Sequence, residues 1–363
     1  MMLDGFRRLG EAGVLGMNFR NAGYIMAHNA RSAFPLVDDK VQTKRLAEKF
    51  GIPIPELYAV VGDHGSIARL PGLLENLQEF AVKPARGSGG SGIILIKGRT
   101  AEGFVTQSGR VITAEEFAYH VASILSGIYS LEGREDMAII EALIHPDPVF
   151  KNVTYREGVP DERVIVYRGV PVMAMVRLPT KASDGKANLH RGAIGAGIDI
   201  ATGTTMTAVH KSRIVREHPD TGSPVSGIRL PRWDEILMMA ARVTEMTGLG
   251  YLGADFILDR ERGPVLLELN ARPGLGIQMA NRSGLRQRLD RVDNAPPDAF
   301  LSAESRVRWA KENFRDPAAA TASPAGDALP AADATSTPDD IISSEKLSRG
   351  DSVLPRDSSE GSR

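Results

Sequence analysis

Residues 79–97 read Glu-Phe-Ala-Val-Lys-Pro-Ala-Arg-Gly-Ser-Gly-Gly-Ser-Gly-Ile-Ile-Leu-Ile-Lys. The centre of this stretch, Gly87 to Gly92, satisfies G-x-G-x-x-G, a pattern whose meaning depends on its flanks. A dinucleotide-binding loop leads from a strand into a helix, and the helix N-terminus receives the pyrophosphate. Here an apolar strand over 79–83 leads in and a second, over 93–97, leads out, so the dinucleotide reading fails. What remains is a glycine loop between two strands. Its backbone is free to approach a ligand closely and to direct N–H groups at phosphate oxygens. Lys83 ends the incoming strand and Arg86 opens the loop, and a lysine beside a glycine loop is the phosphate arrangement of kinase-like ATP sites. A flexible Ser/Gly linker is a poor alternative between two apolar strands.

Outward from the loop, the chain alternates helix and strand signals. Residues 40–50 predict a helix ended by Gly51 and Pro53, and 114–126 predict another. The apolar run 137–144 reads as a buried strand. Residues 162–168 and 171–178 predict a hairpin across Gly169. A helix over 232–248 opens near Pro231 and closes at Gly248. Residues 251–258 and 264–269 predict a second hairpin, turned by 259–263. Antiparallel hairpins mixed with helices point to an α+β fold and not to a doubly wound parallel sheet.

The second hairpin carries Asp255 on one strand and Glu268 and Asn270 on the other. Strand alternation puts 268 and 270 on one face, and Asp255 lies near the same end of the partner strand. Three oxygen ligands converging on one sheet face suit Mg²⁺, which takes carboxylates, phosphates and water; a softer metal would call for His or Cys. Solvated outer-face residues are the plain alternative, and their apolar neighbours argue against it. Between the two motifs, residues 186–192 read Lys-Ala-Asn-Leu-His-Arg-Gly. Arg163 and Arg177 lie upstream on the first hairpin, and an arginine fork binds two oxygens of a carboxylate or phosphate at once. A lone surface Arg or His is ordinarily just solvated. The glycine-rich stretch after Arg191 raises Asn188 and Arg191 above that reading, because it predicts a site loop in place of a packed element.

Bulk properties bound the remaining options. The 363 residues are 42% hydrophobic and 25% charged, with a formal net charge of -1. That composition supports a sizeable core and gives no global field for nucleic acid or an anionic membrane. The chain has no cysteine, which removes disulfides, thiolate nucleophiles and thiolate metal sites. No apolar run is long enough to span a bilayer, and Gly10, Glu11 and Gly13 interrupt any signal-peptide core. A soluble, unprocessed, cytoplasmic protein is the expectation. After Phe314 no aromatic residue remains, and residues 315–363 carry five Lys/Arg against nine Asp/Glu. Such a segment predicts a disordered tail.

Taken together, the motifs carry a resemblance. Val-Lys-Pro with Gly-Ser-Gly-Gly-Ser-Gly, then Asn-Leu-His-Arg-Gly, then Asp255 with Glu-Leu-Asn-Ala-Arg-Pro-Gly, resemble the ATP-grasp superfamily over roughly residues 36–290. Within it the sequence resembles the RimK-like α-L-glutamate ligases, and more closely a related group of alpha-L-glutamate ligase-like proteins, through Asn18–Arg20 and Pro35–Lys40. The resemblance implies two α+β lobes gripping ATP, the smaller one over about 80–140. A short N-terminal extension (1–35) stands where relatives have a full pre-ATP-grasp domain, and a helical segment (291–314) and the tail follow. It implies an ATP- and Mg²⁺-dependent ligase, with Mn²⁺ as an alternative ion. Such a ligase joins a small-molecule or peptide carboxylate to an amino-acid amine through an acyl phosphate. No nucleic acid or membrane insertion enters, and a homo-oligomer is compatible. Lys40, Lys83 and the loop residues Gly87, Ser88, Gly89, Gly90, Ser91 and Gly92 would contact ATP, with Glu141 at the adenine-side hinge. Asp255, Glu268 and Asn270 would hold the metal. Arg163, Asn188 and Arg191 would face the γ-phosphate and acyl phosphate. Arg272 stands where those ligases have a small residue, so it would shape the acceptor pocket. An ATP-dependent phosphotransferase and a non-catalytic ATP-binding regulator are the alternatives.

Overall fold

A computed structural model describes residues 2–87, 89–130 and 133–316. Ser88 of the glycine loop, and nearly all of the expected tail, lie outside the described residues. Among the described residues, thirteen strands form two antiparallel sheets. The first holds β1 (Leu57–Val61), β2 (Phe80–Pro84), β3 (Ile94–Thr100), β4 (Gly103–Thr106), β5 (Val111–Ile112) and β6 (Ala138–Glu141), in the order β1-β6-β2-β3-β4-β5. The second holds β7 (Asp161–Tyr167), β8 (Val170–Leu178), β9 (Ile194–Ile198), β10 (Thr205–His210), β11 (Arg213–Val215), β12 (Tyr251–Asp259) and β13 (Gly263–Asn270), in the order β11-β10-β9-β8-β7-β12-β13. Each sheet has its own core. Phe80, Phe104 and Phe117 centre the smaller one with Val82, Val121, Ile124 and Ile140. The larger core covers both sides of the seven-stranded sheet. Val41, Ala85 and Ile139 form a small third cluster. Among the described residues no helix is long and apolar enough to cross a membrane.

Local chemistry accounts for the element ends. The Asp39 carboxylate accepts from the amides of Val41 (2.9 Å) and Gln42 (3.3 Å), capping the helix Lys40–Lys49 and setting Lys40 at its first turn. Thr113 and Glu116 form a reciprocal capping box that starts the helix Ala114–Leu125. Gly248, at φ 71°, ends the helix Trp233–Thr247 in the left-handed conformation expected of a C-terminal glycine. The predicted helices and hairpins over 162–178 and 251–269 are all present within a residue or two.

One expectation needs correction. The glycine-rich stretch after Arg191 is not a loop: Ile194–Ile198 is the fully buried strand β9, paired with both β8 and β10. Its glycines serve close packing, since a Cβ on Gly197 would lie 2.6 Å from the Ala280 carbonyl oxygen of the helix Ile277–Asn281. In the N-terminal segment, Leu15, Tyr24 and Ile25 are buried in the large-lobe core. Within this segment the Arg20 guanidinium donates to the Pro273 carbonyl oxygen at 2.7 Å, bracing the turn that follows β13.

Candidate active site

The glycine loop leaves β2 and crosses to the other lobe. Gly89, Gly90 and Gly92 have φ of 61°, 75° and 75°, conformations that favour glycine. At its first end the Gly87 carbonyl accepts from Lys40 Nζ at 2.7 Å. At its tip a Cβ on Gly89 would lie 3.7 Å from Asn188 Nδ2, and one on Gly90 would lie 3.6 Å from Lys186 Cδ. Ser91 Oγ meets Arg191 Nη2 at 3.5 Å. The loop of one lobe therefore sits on the 186–191 segment of the other. Among the described residues, the amides of Gly89, Gly90, Ser91 and Gly92 donate to no acceptor. Unpaired amides near Asn, Lys and Arg side chains are the kind of groups that can receive an anion. Asn188 is itself held, its Oδ1 accepting from the His190 amide at 2.9 Å.

Behind the loop lies a buried cation–carboxylate group. Glu141, at the end of β6, takes Lys83 Nζ on one oxygen at 2.6 Å and Lys44 Nζ on the other at 2.8 Å. The second contact is close without being aligned, so that oxygen accepts no hydrogen bond of good geometry. Burial acts to raise the Glu141 carboxyl, and the two lysines outweigh it and hold the group below the usual carboxylate range. Burial, with Lys83 alongside, pushes Lys44 down to about 8. Lys40 is lowered too, chiefly by burial, against the opposing pull of Glu268 at 3.7 Å. Lys44 was missed in the sequence reading. The signal was its spacing of four from Lys40, which puts both ammonium groups on one face of the helix.

Across the cleft, one line of residues runs over three strands of the second sheet: Arg163 on β7, Asp255 on β12 and Glu268 on β13 are successive cross-strand partners. Asn270 lies on the same face and approaches Asp255 at 3.4 Å. The three expected oxygen ligands are thus together. Asp255 is fully buried and gripped by Arg163 through two bonds of 2.7 and 2.5 Å, and by Arg177 at 2.7 Å. Arg177 also forks onto Asp161, its own cross-strand partner. Burial would raise the Asp255 carboxyl, and the two guanidinium groups instead hold it far below the usual carboxylate range. Asp161 is raised, first by burial and further by the like charge of Asp255, although Arg177 opposes both. Among the described residues no three His, Cys, Asp or Glu side chains gather as a metal cluster. The set here is two carboxylates and an amide. Glu268 is partly exposed, with Lys40 its ion-pair partner, and Asn270 Oδ1 accepts from nothing among the described residues. These oxygens suit a hard divalent ion that draws further ligands from phosphate. Arg272 is exposed and lies 4.7 Å over the Phe34 ring, close enough to Asp38 for the two charges to interact.

A family model described as sugar-transfer associated ATP-grasp matches residues 19–294. No curated protein matches the chain. Similar solved structures include the ATP-grasp ligase PsnB complexed with minimal precursor, at 17% identity and a TM-score of 0.40, covering 74% of this chain and 63% of that one. The chain thus spans less than two thirds of PsnB's length. D-alanyl-alanine synthetase A from Vibrio cholerae O1 biovar eltor is 15% identical, with a TM-score of 0.41 and coverage of 77% and 67%. A RimK domain ATP-grasp protein from Sphaerobacter thermophilus is 14% identical, with a TM-score of 0.41 and coverage of 73% and 70%.

Proposed function

This chain belongs to the sugar-transfer associated ATP-grasp family, and we propose that it is a Mg²⁺- and ATP-dependent ligase that joins a carboxylate to an amine. The observation that carries the reading is the facing of two sites. The glycine loop, whose amides at 89–92 donate to no acceptor among the described residues, lies beside Asn188, Lys186 and Arg191, while Asp255, Glu268 and Asn270 share one face of the other lobe's sheet. ATP phosphates between them would meet donors on one side and metal ligands on the other.

In this reading the loop amides and Lys83 bind the phosphates, and Glu141, fixed by its two lysines, stands at the adenine end. Asp255, Glu268 and Asn270 would hold Mg²⁺ (or Mn²⁺), which would supply charge neutralisation and alignment for the phosphate. A substrate carboxylate oxygen attacks the γ-phosphorus and ADP leaves. An amine nitrogen then attacks the acyl carbon, inorganic phosphate leaves, and the amine gives up a proton. Arg191 and Asn188, next to the loop tip, stabilise charge on the transferred phosphoryl group. Arg163 and Arg177 hold Asp255 ionised and oriented. Arg272, stacked on Phe34, borders the second-substrate side. The subtype the motifs favour is a RimK-related, glutamate ligase-like enzyme adding glutamate or a similar amino acid to a small-molecule or peptide acceptor, in the cytoplasm.

The test is ADP and phosphate release by the purified protein with Mg-ATP, screened against pools of amino acids and short peptides, with products read by mass spectrometry. A product equal in mass to two substrates less water, matched by ADP, is expected. A phosphorylated product without condensation would replace the ligase with a phosphotransferase, and tight ATP binding without turnover in any pool would favour a regulatory role.

A further inference from the structure

The second end of the glycine loop is tied by a residue that the proposed chemistry does not use. His120 Nε2 lies 2.9 Å from the Gly92 carbonyl oxygen. A carbonyl can only accept, so Nε2 carries the hydrogen. His120 Nδ1 then faces the Tyr129 hydroxyl at 3.5 Å, which donates to it in the neutral ring. Burial lowers the His120 pKa and the bond to Gly92 opposes that. The Tyr129 ring closes the third side: a Cβ on Gly92 would lie 2.5 Å from Tyr129 Cγ, so only glycine fits against it. The base of this device is rigid. His120 projects from the capped helix Ala114–Leu125, whose Phe117, Val121 and Ile124 are buried in the small-lobe core.

We propose that His120 is a positioning residue for the glycine loop, setting through the Gly92 carbonyl the direction in which the loop amides face the phosphate site. The loop's two ends present carbonyls to two fixed donors, Gly87 to Lys40 and Gly92 to His120. A peptide unit is planar and trans, so tying the Gly92 oxygen to the helix turns the following N–H away from it and fixes the plane from which the loop departs. Among the described residues the amides of Gly89, Gly90, Ser91 and Gly92 donate to no acceptor, which is the arrangement an incoming phosphate needs and an untethered glycine run would not keep. Lys40 links the first end to Glu268 as well, 3.7 Å away, so loop and carboxylate face share a reference. The role in nucleotide binding rests on the ATP reading above; the tether itself does not.

The experiment compares wild type, His120→Leu, His120→Phe and His120→Gln. Glutamine keeps an N–H donor of similar reach, whereas leucine and phenylalanine lose it and phenylalanine keeps the ring volume. Backbone ¹⁵N order parameters are read at residues 89–93 in the nucleotide-free protein, with residues 138–141 as the reference, and Mg-ATP affinity is read by calorimetry. Loss of the donor is expected to lower the order parameters at 89–93 and to weaken Mg-ATP by roughly five- to tenfold, the effect of one hydrogen bond. Those at 138–141 should stay constant, and His120→Gln should restore most of both losses. Unchanged order parameters at 89–93 in both His120→Leu and His120→Phe would overturn the tether. Lower order parameters with unaltered Mg-ATP affinity would overturn the positioning role. If wild type binds no Mg-ATP, the ATP reading and the positioning role fall together, while the order parameters still decide whether the tether exists.

Discussion

Lys44 and Glu268 are the residues at which the site can be tested most directly. Burial, with Lys83 alongside, takes the Lys44 ammonium from an ordinary value of 10.5 to about 8. Between those values the unfolded chain holds a proton that the folded chain has released, so this group makes stability rise with pH. The full slope is about 1.4 kcal/mol per pH unit. Tyr24, pushed up to about 12 from 10.0, acts in the opposite sense only above its ordinary value, while Lys40, also lowered, adds to the rise. Lys44→Met should therefore flatten, without abolishing, the upward trend of melting temperature between about pH 8 and 9.5, and an identical trend in both proteins would show that Lys44 does not titrate there. Glu268 differs because its ion pair with Lys40 is long and partly exposed, worth at most about 1 kcal/mol. Glu268→Ala should melt close to wild type yet lose turnover by roughly 10²- to 10³-fold, as when a group stabilising transition-state charge is removed. Full turnover at an unchanged melting temperature would end the metal assignment.

At the scale of elements, legibility followed the signal each strand carries. The hairpins 162–178 and 251–269 could be read because apolar runs meet tight turns, and in β12 and β13 the two-residue period placed Asp255, Glu268 and Asn270 on one face. Strand β9 could not be read, since Ile-Gly-Ala-Gly-Ile looks like a loop until the helix Ile277–Asn281 is known to press on it. Strands β4 and β5 are two to four residues long, too short for periodicity. The acids and bases were legible as types, but not their pairings. Arg163 was expected to face phosphate, and its engagement of Asp255, shared with Arg177, follows from strand register, which no local pattern specifies. The packing that hid β9 is itself testable. With the Ala280 carbonyl 2.6 Å from the new methyl and no flexible side chain to give way, Gly197→Ala should cost about 1–3 kcal/mol, seen as a lower urea midpoint at unchanged slope. A midpoint equal to wild type would mean that strand and helix are less closely apposed.

For the whole molecule, the question is what joins the two lobes across the cleft. Among the described residues, direct polar contacts beside the loop include exposed ones: Lys97 pairs with Glu157 at 3.7 Å, both well exposed, and Gln107 donates to the Glu157 carbonyl at 2.6 Å. Exposed pairs of this kind contribute about 0–1 kcal/mol. The proposed ligand contacts, by contrast, come from both sides, with Lys83, Glu141 and the loop on the small lobe and Asn188, Arg191, Glu268 and Asn270 on the large one. A ligand that spans such a division stabilises by linkage, about 2.7 kcal/mol at a hundred times its dissociation constant. Mg-ATP at that excess should accordingly slow hydrogen exchange in both sheets, at β2 and β6 as well as at β12 and β13. Adenosine carries no phosphate to reach the carboxylate face, so any protection it confers should be confined to the side of Glu141. Protection of one lobe alone by Mg-ATP would mean that the nucleotide does not bridge the loop and the carboxylate face, and the ligase reading would lose its geometric basis.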